Sequence, residues 1–226
     1  MERFERMETL VGKEKLGLLR NAAVFVFGVG GVGGFAVEAL ARAGVGRIGI
    51  VDHDTIHLSN INRQIHALSD TVGEKKVLAM KKRIESINPD CKVFVFPVMA
   101  SESNIPEILE AKPDYVIDAI DTVTCKLSLI EYCTANSIPI ASSMGTGNKL
   151  HPEMLIVEDI HKTSVCPLAK VMRKELKKRG VKHLKVVYSK ENPISNPKGV
   201  IGSISTVPPA AGIMLASIAI NDLMGK

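Results

Sequence analysis

Apolar residues fall along this chain in short unbroken runs, separated by longer segments that repeat at the helical period. Residues 24–27, 48–51, 93–96, 115–117 and 139–143 are β-favouring runs bounded by glycine, proline, asparagine or charge. Runs without polar alternation suit strands covered on both faces. Between them lie an Ala-rich stretch that stops at Gly44, an amphipathic segment at 75–87 with Val77, Met80, Ile84 and Ile87 on one face, a helix near 105–111 and another at 123–136. Strands alternating with helices predict an α/β fold, a Rossmann-like doubly wound and mainly parallel sheet with helices on both faces. Residues 1–20 read as helical. From Asn148 the alternation breaks: 154–157 and 185–188 read as short strands flanking a basic helix at 167–179, and the Pro- and Asn-rich 192–198 as a loop. The apolar stretch 207–220 holds two prolines and a glycine and is shorter than the roughly 20 residues that cross a bilayer, so a buried helix is expected. One domain over 1–226 follows: an N-terminal helical arm (1–20), a nucleotide-binding part (21–147), and a substrate-facing part with mixed strands and a C-terminal helix (148–226).

The nucleotide assignment rests on glycines. Gly28, Gly30 and Gly33 form a G-x-G-x-x-G frame, with Gly31 inside it, directly after the first strand and before a helix; Asp52 ends the second strand. That order places phosphates over backbone N–H groups at a helix N-terminus and a ribose against a carboxylate. A nicotinamide dehydrogenase is the first expectation from such a frame, but the residues that follow suit a triphosphate, which needs cations for its charge and an acid for its magnesium. Asn60 and Arg63, three apart, would share a face of a helical turn. Lys76 sits in the first turn of a helix, where a cation opposes the dipole unless an anion is near. Asp54 either helps through a metal or water or caps its loop. Asp118 and Asp121 lie at a strand's carboxyl end, where ligands of such sheets bind. Gly145 and Gly147 would admit a substrate to the backbone or simply make a turn.

At the glycine loop, the Ser59–Gln64 segment (Ser-Asn-Ile-Asn-Arg-Gln), Lys76 and Asp121, the chain resembles the ubiquitin-activating-enzyme-like adenylyltransferases, which include the sulfur-carrier activators of molybdopterin and thiamin synthesis. Within that group it is most similar to the tRNA threonylcarbamoyladenosine dehydratases. The resemblance covers nearly the whole chain. It implies ATP with magnesium on Asp121, a nucleotide site of Gly28, Gly30, Gly31, Gly33, Asp52, Asp54, Asn60, Arg63, Lys76 and Asp121, and adenylation of a carboxylate. It also implies a homodimer in which Arg6, with Arg3 as fallback, reaches the other subunit's phosphates, so that Arg6, Arg63, Lys76 and Asp121 are the catalytic set. The implied carboxylate belongs to threonylcarbamoyladenosine in tRNA; the alternative is the C-terminus of a small ubiquitin-like carrier protein, with a sulfurtransferase as a possible further partner. A non-catalytic nucleotide-binding module or a dehydrogenase is the reading from other classes. The zinc-binding relatives carry paired C-x-x-C motifs, whereas the frame here reads Thr163-Ser164-Val165-Cys166 and a second is missing, so zinc is not expected. The segment after the 192–198 loop is also shorter than the resemblance implies.

Composition and charge add to the picture. An apolar fraction of 46% over 226 residues is ample for one core. Cys91, Cys125, Cys133 and Cys166 show no paired spacing and read as reduced core thiols, with Cys166 as either a covalent relay or structural. The charged first residues hold no apolar leader, so a cytoplasmic location is expected. The formal charge of +5 is unevenly spread: residues 162–190 hold ten Lys and Arg against the single acid Glu175, a net +9 that leaves −4 to the rest. Leu168, Val171, Met172 and Leu176 would anchor the basic helix while Arg173, Lys174, Lys177 and Lys178 project outward, a stripe suited to tRNA phosphates. Tyr188 is the only aromatic nearby, so the contacts expected are electrostatic.

Overall fold

The computed structural model describes residues 2–195 and 199–225; residues 196–198 of the expected 192–198 loop lie outside them. In chain order the elements are α1 (Glu5–Val11), α2 (Lys13–Asn21), β1 (Ala23–Phe27), α3 (Gly33–Arg42), β2 (Arg47–Val51), α4 (Lys76–Ile87), β3 (Lys92–Phe96), α5 (Ile105–Ile108), β4 (Tyr115–Asp118), α6 (Val123–Ala135), β5 (Ile140–Ser143), β6 (Leu155–Asp159), α7 (Pro167–Lys178), β7 (Lys185–Ser189) and α8 (Val207–Met224). The strands form one sheet in the order β3-β2-β1-β4-β5-β7-β6. All neighbours run parallel except β6, which pairs antiparallel with β7.

The apolar runs of β1, β2 and β4 are buried on both faces, whereas that of β3, at the edge of the sheet, is only half-buried. Val24 and Val26 of β1, with Ile48 and Ile50 of β2, pack into a core shared with α3, α4 and α8. Phe25 and Phe27 point the other way, into a second core with Ile105 and Ile108 of α5 and Leu129 and Cys133 of α6. A third cluster joins Val186 and Tyr188 of β7 to Met172 and Leu176 of α7. Helices on both faces of a mainly parallel sheet make this the doubly wound fold that the strand–helix alternation predicts. All four cysteines are buried and free; burial pushes the Cys91 thiol up to about 11, and burial with the Asp118 charge pushes Cys133 up to about 12, as inert core thiols require.

Two helices differ from expectation. The arm at 1–20 is broken at Gly12, whose φ of +84° favours glycine and ends α1 before α2 begins. The apolar 207–220 segment continues to Met224, and α8 is the one helix among the described residues long and apolar enough to cross a bilayer. It lies in the core instead: Val207, Ala211, Leu215, Ala219 and Leu223 are buried, and a side chain at Gly212 would strike the Val32 carbonyl. That close approach sets α8 against the start of α3.

Candidate active site

The chain leaves β1 for β2 and β3 on one side and then crosses to β4 on the other, so β1 and β4 flank the point where the strand order reverses. The glycine turn follows β1, Asp52 and Asp54 follow β2, and Asp118 ends β4 with Asp121 in the loop after it, all at the carboxyl edge. Within the turn the glycines do different things. Gly28 has φ +85°, and a Cβ there would lie 2.6 Å from the Ala119 carbonyl oxygen; a Cβ at Gly33 would overlap the Gly28 carbonyl. These two let the backbone fold on itself. At Gly30 the nearest atom to such a Cβ is Gln64 Nε2, 3.9 Å away, so the space above it is open. No side chain caps α3; the Gly34 and Ala36 N–H groups are taken by the Gly30 and Val32 carbonyls, and the turn before them, with the positive end of the helix dipole, is open to an anion.

Asp52 is held by the backbone: one carboxylate oxygen accepts from the Val29 N–H at 2.7 Å, the other from the Asp54 N–H at 2.9 Å. It thereby fixes the glycine turn to the end of β2, and each oxygen keeps a lone pair for a ribose hydroxyl. Asp54 pairs with the buried Lys76 at 2.6 Å and with His53 at 3.2 Å. Burial pushes its carboxyl up, but the hydrogen bond and charge of Lys76, aided by His53 and His57, outweigh that and hold it below the usual carboxylate range. Asp52, His53 and Asp54 present ligand atoms within 4.8 Å of one another. Their carboxylates are nevertheless engaged by N–H groups and by Lys76. Asp121, exposed and among the described residues bonded only to the Thr122 hydroxyl at 3.2 Å, is the freer acid for a cation.

Arg63 lies against the glycine turn, its Cγ 3.2 Å from where a Gly31 Cβ would be, and its guanidinium donates to the Ser59 carbonyl and the Asn62 amide oxygen. Asn60 and Arg63 are joined by a helical turn, the Arg63 and Gln64 N–H groups donating to the Asn60 carbonyl at 3.0 and 2.9 Å, while the Asn60 side chain is buried with its amide oxygen accepting from the His57 N–H at 3.0 Å. Arg6 is exposed on α1 and makes no hydrogen bond or ion pair among the described residues. Its neighbour Phe4 packs on Gly44 and Leu16, and Arg3 donates to the Ile87 carbonyl, so the arm is fastened to the amino edge of the sheet, opposite the glycine turn.

Three buried side chains here, Lys126, His66 and Lys149, were not among the candidates read from the sequence. Lys126 and Asp118, both fully buried, pair at 2.8 Å beneath the loop that carries Asp121. Lys126 is one of only two charged residues in α6, the one available signal. His66 and Gln64 are buried along the first turn of α3, and neither His66 ring nitrogen nor the Gln64 Oε1 has a partner among the described residues. Lys149 donates to the Gly145 carbonyl at 2.8 Å near Cys166; burial pushes its ammonium down, against the pull of Cys166 and Glu191.

Away from this centre, the basic residues of α7 line a groove of about 790 Å³ shared by Lys170, Arg173, Lys174, Lys177 and Lys182, with His161 and His183 at its wall. Arg173 is anchored there, donating to the Thr163 carbonyl and hydroxyl. Lys178 differs from the other three in that it lies off the groove and pairs with Glu175 at 2.9 Å.

A model of the ThiF family matches residues 4–226. The chain belongs to the ThiF family. A ThiF-type relative, the tRNA threonylcarbamoyladenosine dehydratase of Bacillus subtilis, is 42% identical over 99% of this chain and 95% of its own length. The solved Escherichia coli tRNA N6-threonylcarbamoyladenosine dehydratase in complex with ATP aligns at TM-score 0.93 and 37% identity, covering 99% of this chain and 94% of that one. The similarity also reaches a sulfur carrier protein adenylyltransferase of Thermus thermophilus, 39% identical over 54% of this chain and 45% of its own length.

Proposed function

We propose that this ThiF-family chain adenylates a carboxylate with ATP, and that the carboxylate is the threonyl group of threonylcarbamoyladenosine in tRNA, which then closes to its cyclic form in the cytoplasm. The observation that carries the reading is the open space at Gly30 over an uncapped helix N-terminus, with Arg63 beside it. It is supported by the near full-length similarity to the Bacillus subtilis dehydratase. A carboxylate cannot lose oxide directly. Its oxygen attacks the α-phosphorus of ATP, pyrophosphate leaves, and the mixed anhydride now carries AMP as a good leaving group. An atom of the same modified side chain then attacks the acyl carbon and expels AMP, and the two steps together remove one water.

The backbone at Gly28, Gly30, Gly31 and Gly33 cradles the phosphates, and Asp52 takes the ribose. Asn60 keeps the Arg63 turn in shape. Arg63 and Lys76, with Arg6 of a second copy, neutralise charge developing on the phosphates. Asp121, with Asp54 in support, would hold magnesium, which would screen the same charge. In the free chain Lys76 is neutralised by Asp54, so engaging the nucleotide means exchanging one anion for another. The basic groove on α7 takes RNA phosphates.

Pyrophosphate exchange into ATP tests the reading. Exchange that depends on tRNA bearing threonylcarbamoyladenosine is expected, with AMP and cyclised tRNA as products. Exchange that depends on a small carrier protein, and not on tRNA, overturns the substrate. In a folded protein, Asp121→Ala and Arg63→Ala should each lower the rate by about 10²–10³; near-normal turnover in Asp121→Ala removes that residue from the site.

A further inference from the structure

We infer that Lys126 is a positioning residue for the nucleotide site, acting through the loop at 119–122; the inference rests on the adenylation reading above. Lys126 is fully buried, and its ammonium contacts three groups: the Asp118 carboxylate at 2.8 Å, the Ile120 carbonyl at 3.1 Å and the Ser143 carbonyl at 2.9 Å. Asp118 in turn accepts from the Ser142 hydroxyl at 2.5 Å and the Ile120 N–H at 3.1 Å. One ammonium thus gathers the end of β4, the loop after it and the end of β5.

That loop closes the glycine turn on one side and carries Asp121 on the other. The Ala119 N–H donates to the Phe27 carbonyl at 2.8 Å, and the Ala119 carbonyl is the atom that a side chain at Gly28 would strike. Stability alone does not account for a charged pair in this place. Leu129 and Cys133 make an apolar core close by, and a buried ion pair is often no more stabilising than a packed apolar pair of the same volume. An apolar pair, however, cannot hold backbone carbonyls in direction. The ammonium bonds Ile120 next to Asp121, and Ser143 two residues before Gly145, so the acid side of the nucleotide site and the strand leading to the substrate side share one anchor.

The experiment compares the wild-type chain with Lys126→Met, Asp118→Asn and the double variant, using thermal unfolding and pyrophosphate exchange titrated with ATP and with magnesium. Lys126→Met should be destabilised, because it leaves Asp118 as a buried unpaired charge. In the double variant, with no buried charge, the melting temperature should return towards wild type while kcat stays down about 10- to 100-fold and the magnesium needed for half-maximal rate rises. A double variant with wild-type kcat and magnesium requirement overturns the inference. Should that variant not fold, Lys126→Arg replaces it; a guanidinium keeps the charge opposite Asp118 but cannot hold the Ile120 and Ser143 carbonyls in the same directions, so the same rise in magnesium requirement is expected, and a folded Lys126→Arg with a wild-type requirement overturns the inference. A wild-type chain that shows no exchange with tRNA or carrier protein fails the adenylation reading, which separates the two outcomes.

Discussion

Gly30 and Gly33 stand three residues apart in one turn, yet a methyl group added at each meets different surroundings. At Gly33 it runs into the Gly28 carbonyl, whereas at Gly30 nothing lies closer than 3.9 Å. Gly33→Ala should therefore lose stability and nucleotide binding together. Gly30→Ala should melt like wild type but bind ATP at least about tenfold more weakly, because its methyl occupies space that a phosphate needs; calorimetric titration beside thermal melts checks this, and undiminished affinity would move the phosphates elsewhere. His66 gives a second prediction at this scale. Burial, aided by the charges of Lys76 and Arg83, pushes its pKa down to about 4 from 6.5. Between those values the unfolded chain binds the extra proton and the folded chain does not, so stability falls as pH drops from 6.5 and the full penalty, about 3 kcal/mol, is reached below pH 4. Asp54, lowered from 3.8, loses its contribution only below that window. Urea unfolding between pH 7 and 4 should show the decline, and His66→Phe should flatten it; a persisting slope in the variant assigns the decline to other groups.

At the scale of elements, α7 and the turn after it make a prediction that the sequence stripe alone would have placed differently. Lys170, Lys174 and Lys177 line the groove, whereas Lys178 is neutralised by Glu175. Neutralising the first three should weaken tRNA binding and cut its salt slope by roughly one unit per lost phosphate contact, leaving ATP binding unchanged. Lys178→Gln should change the slope little. A triple variant with the wild-type slope would make the groove merely a solvated face. The strands were legible because residues such as Val24 to Phe27 are buried on both faces, so burial and sequence pattern coincide. The antiparallel turn of β6 was not, since its direction is set by what it pairs with. The same division runs through the site. Gly28, Asp52, Lys76 and Asp121 stand at or near ends of strands and helices and announce themselves by position. Lys126 and Lys149 do not, because a lysine in a sequence reads as surface until Asp118, Ser143 or Gly145 is seen beside it.

For the whole molecule, the position of Arg6 has a consequence for assembly. Phe4 and Arg3 fasten the arm to the amino edge of the sheet, and the glycine turn opens at the carboxyl edge. A five-residue strand such as β1 spans roughly 13–16 Å at about 3.3 Å per residue, beyond the reach of an arginine side chain anchored at that edge. Arg6 is therefore not expected to serve the site of its own chain. If it meets phosphates, it meets those of a second copy, and the exposed Leu10 on the same helix is an apolar group that such a copy would cover. The prediction is complementation. Arg6→Ala and Asp121→Ala chains, each inactive alone, should recover activity when mixed and allowed to exchange subunits. In a mixed dimer one site combines an intact Asp121 with the partner's intact Arg6, and the other site lacks both. With random pairing half of the dimers are mixed and each holds one working site of two, so recovery should approach about a quarter of the wild-type rate per chain. Native mass spectrometry establishes that mixed dimers have formed, and pyrophosphate exchange reads the activity. Mixed dimers that stay inactive would confine Arg6 to the solvated face of α1, and each nucleotide site would then be complete within one chain.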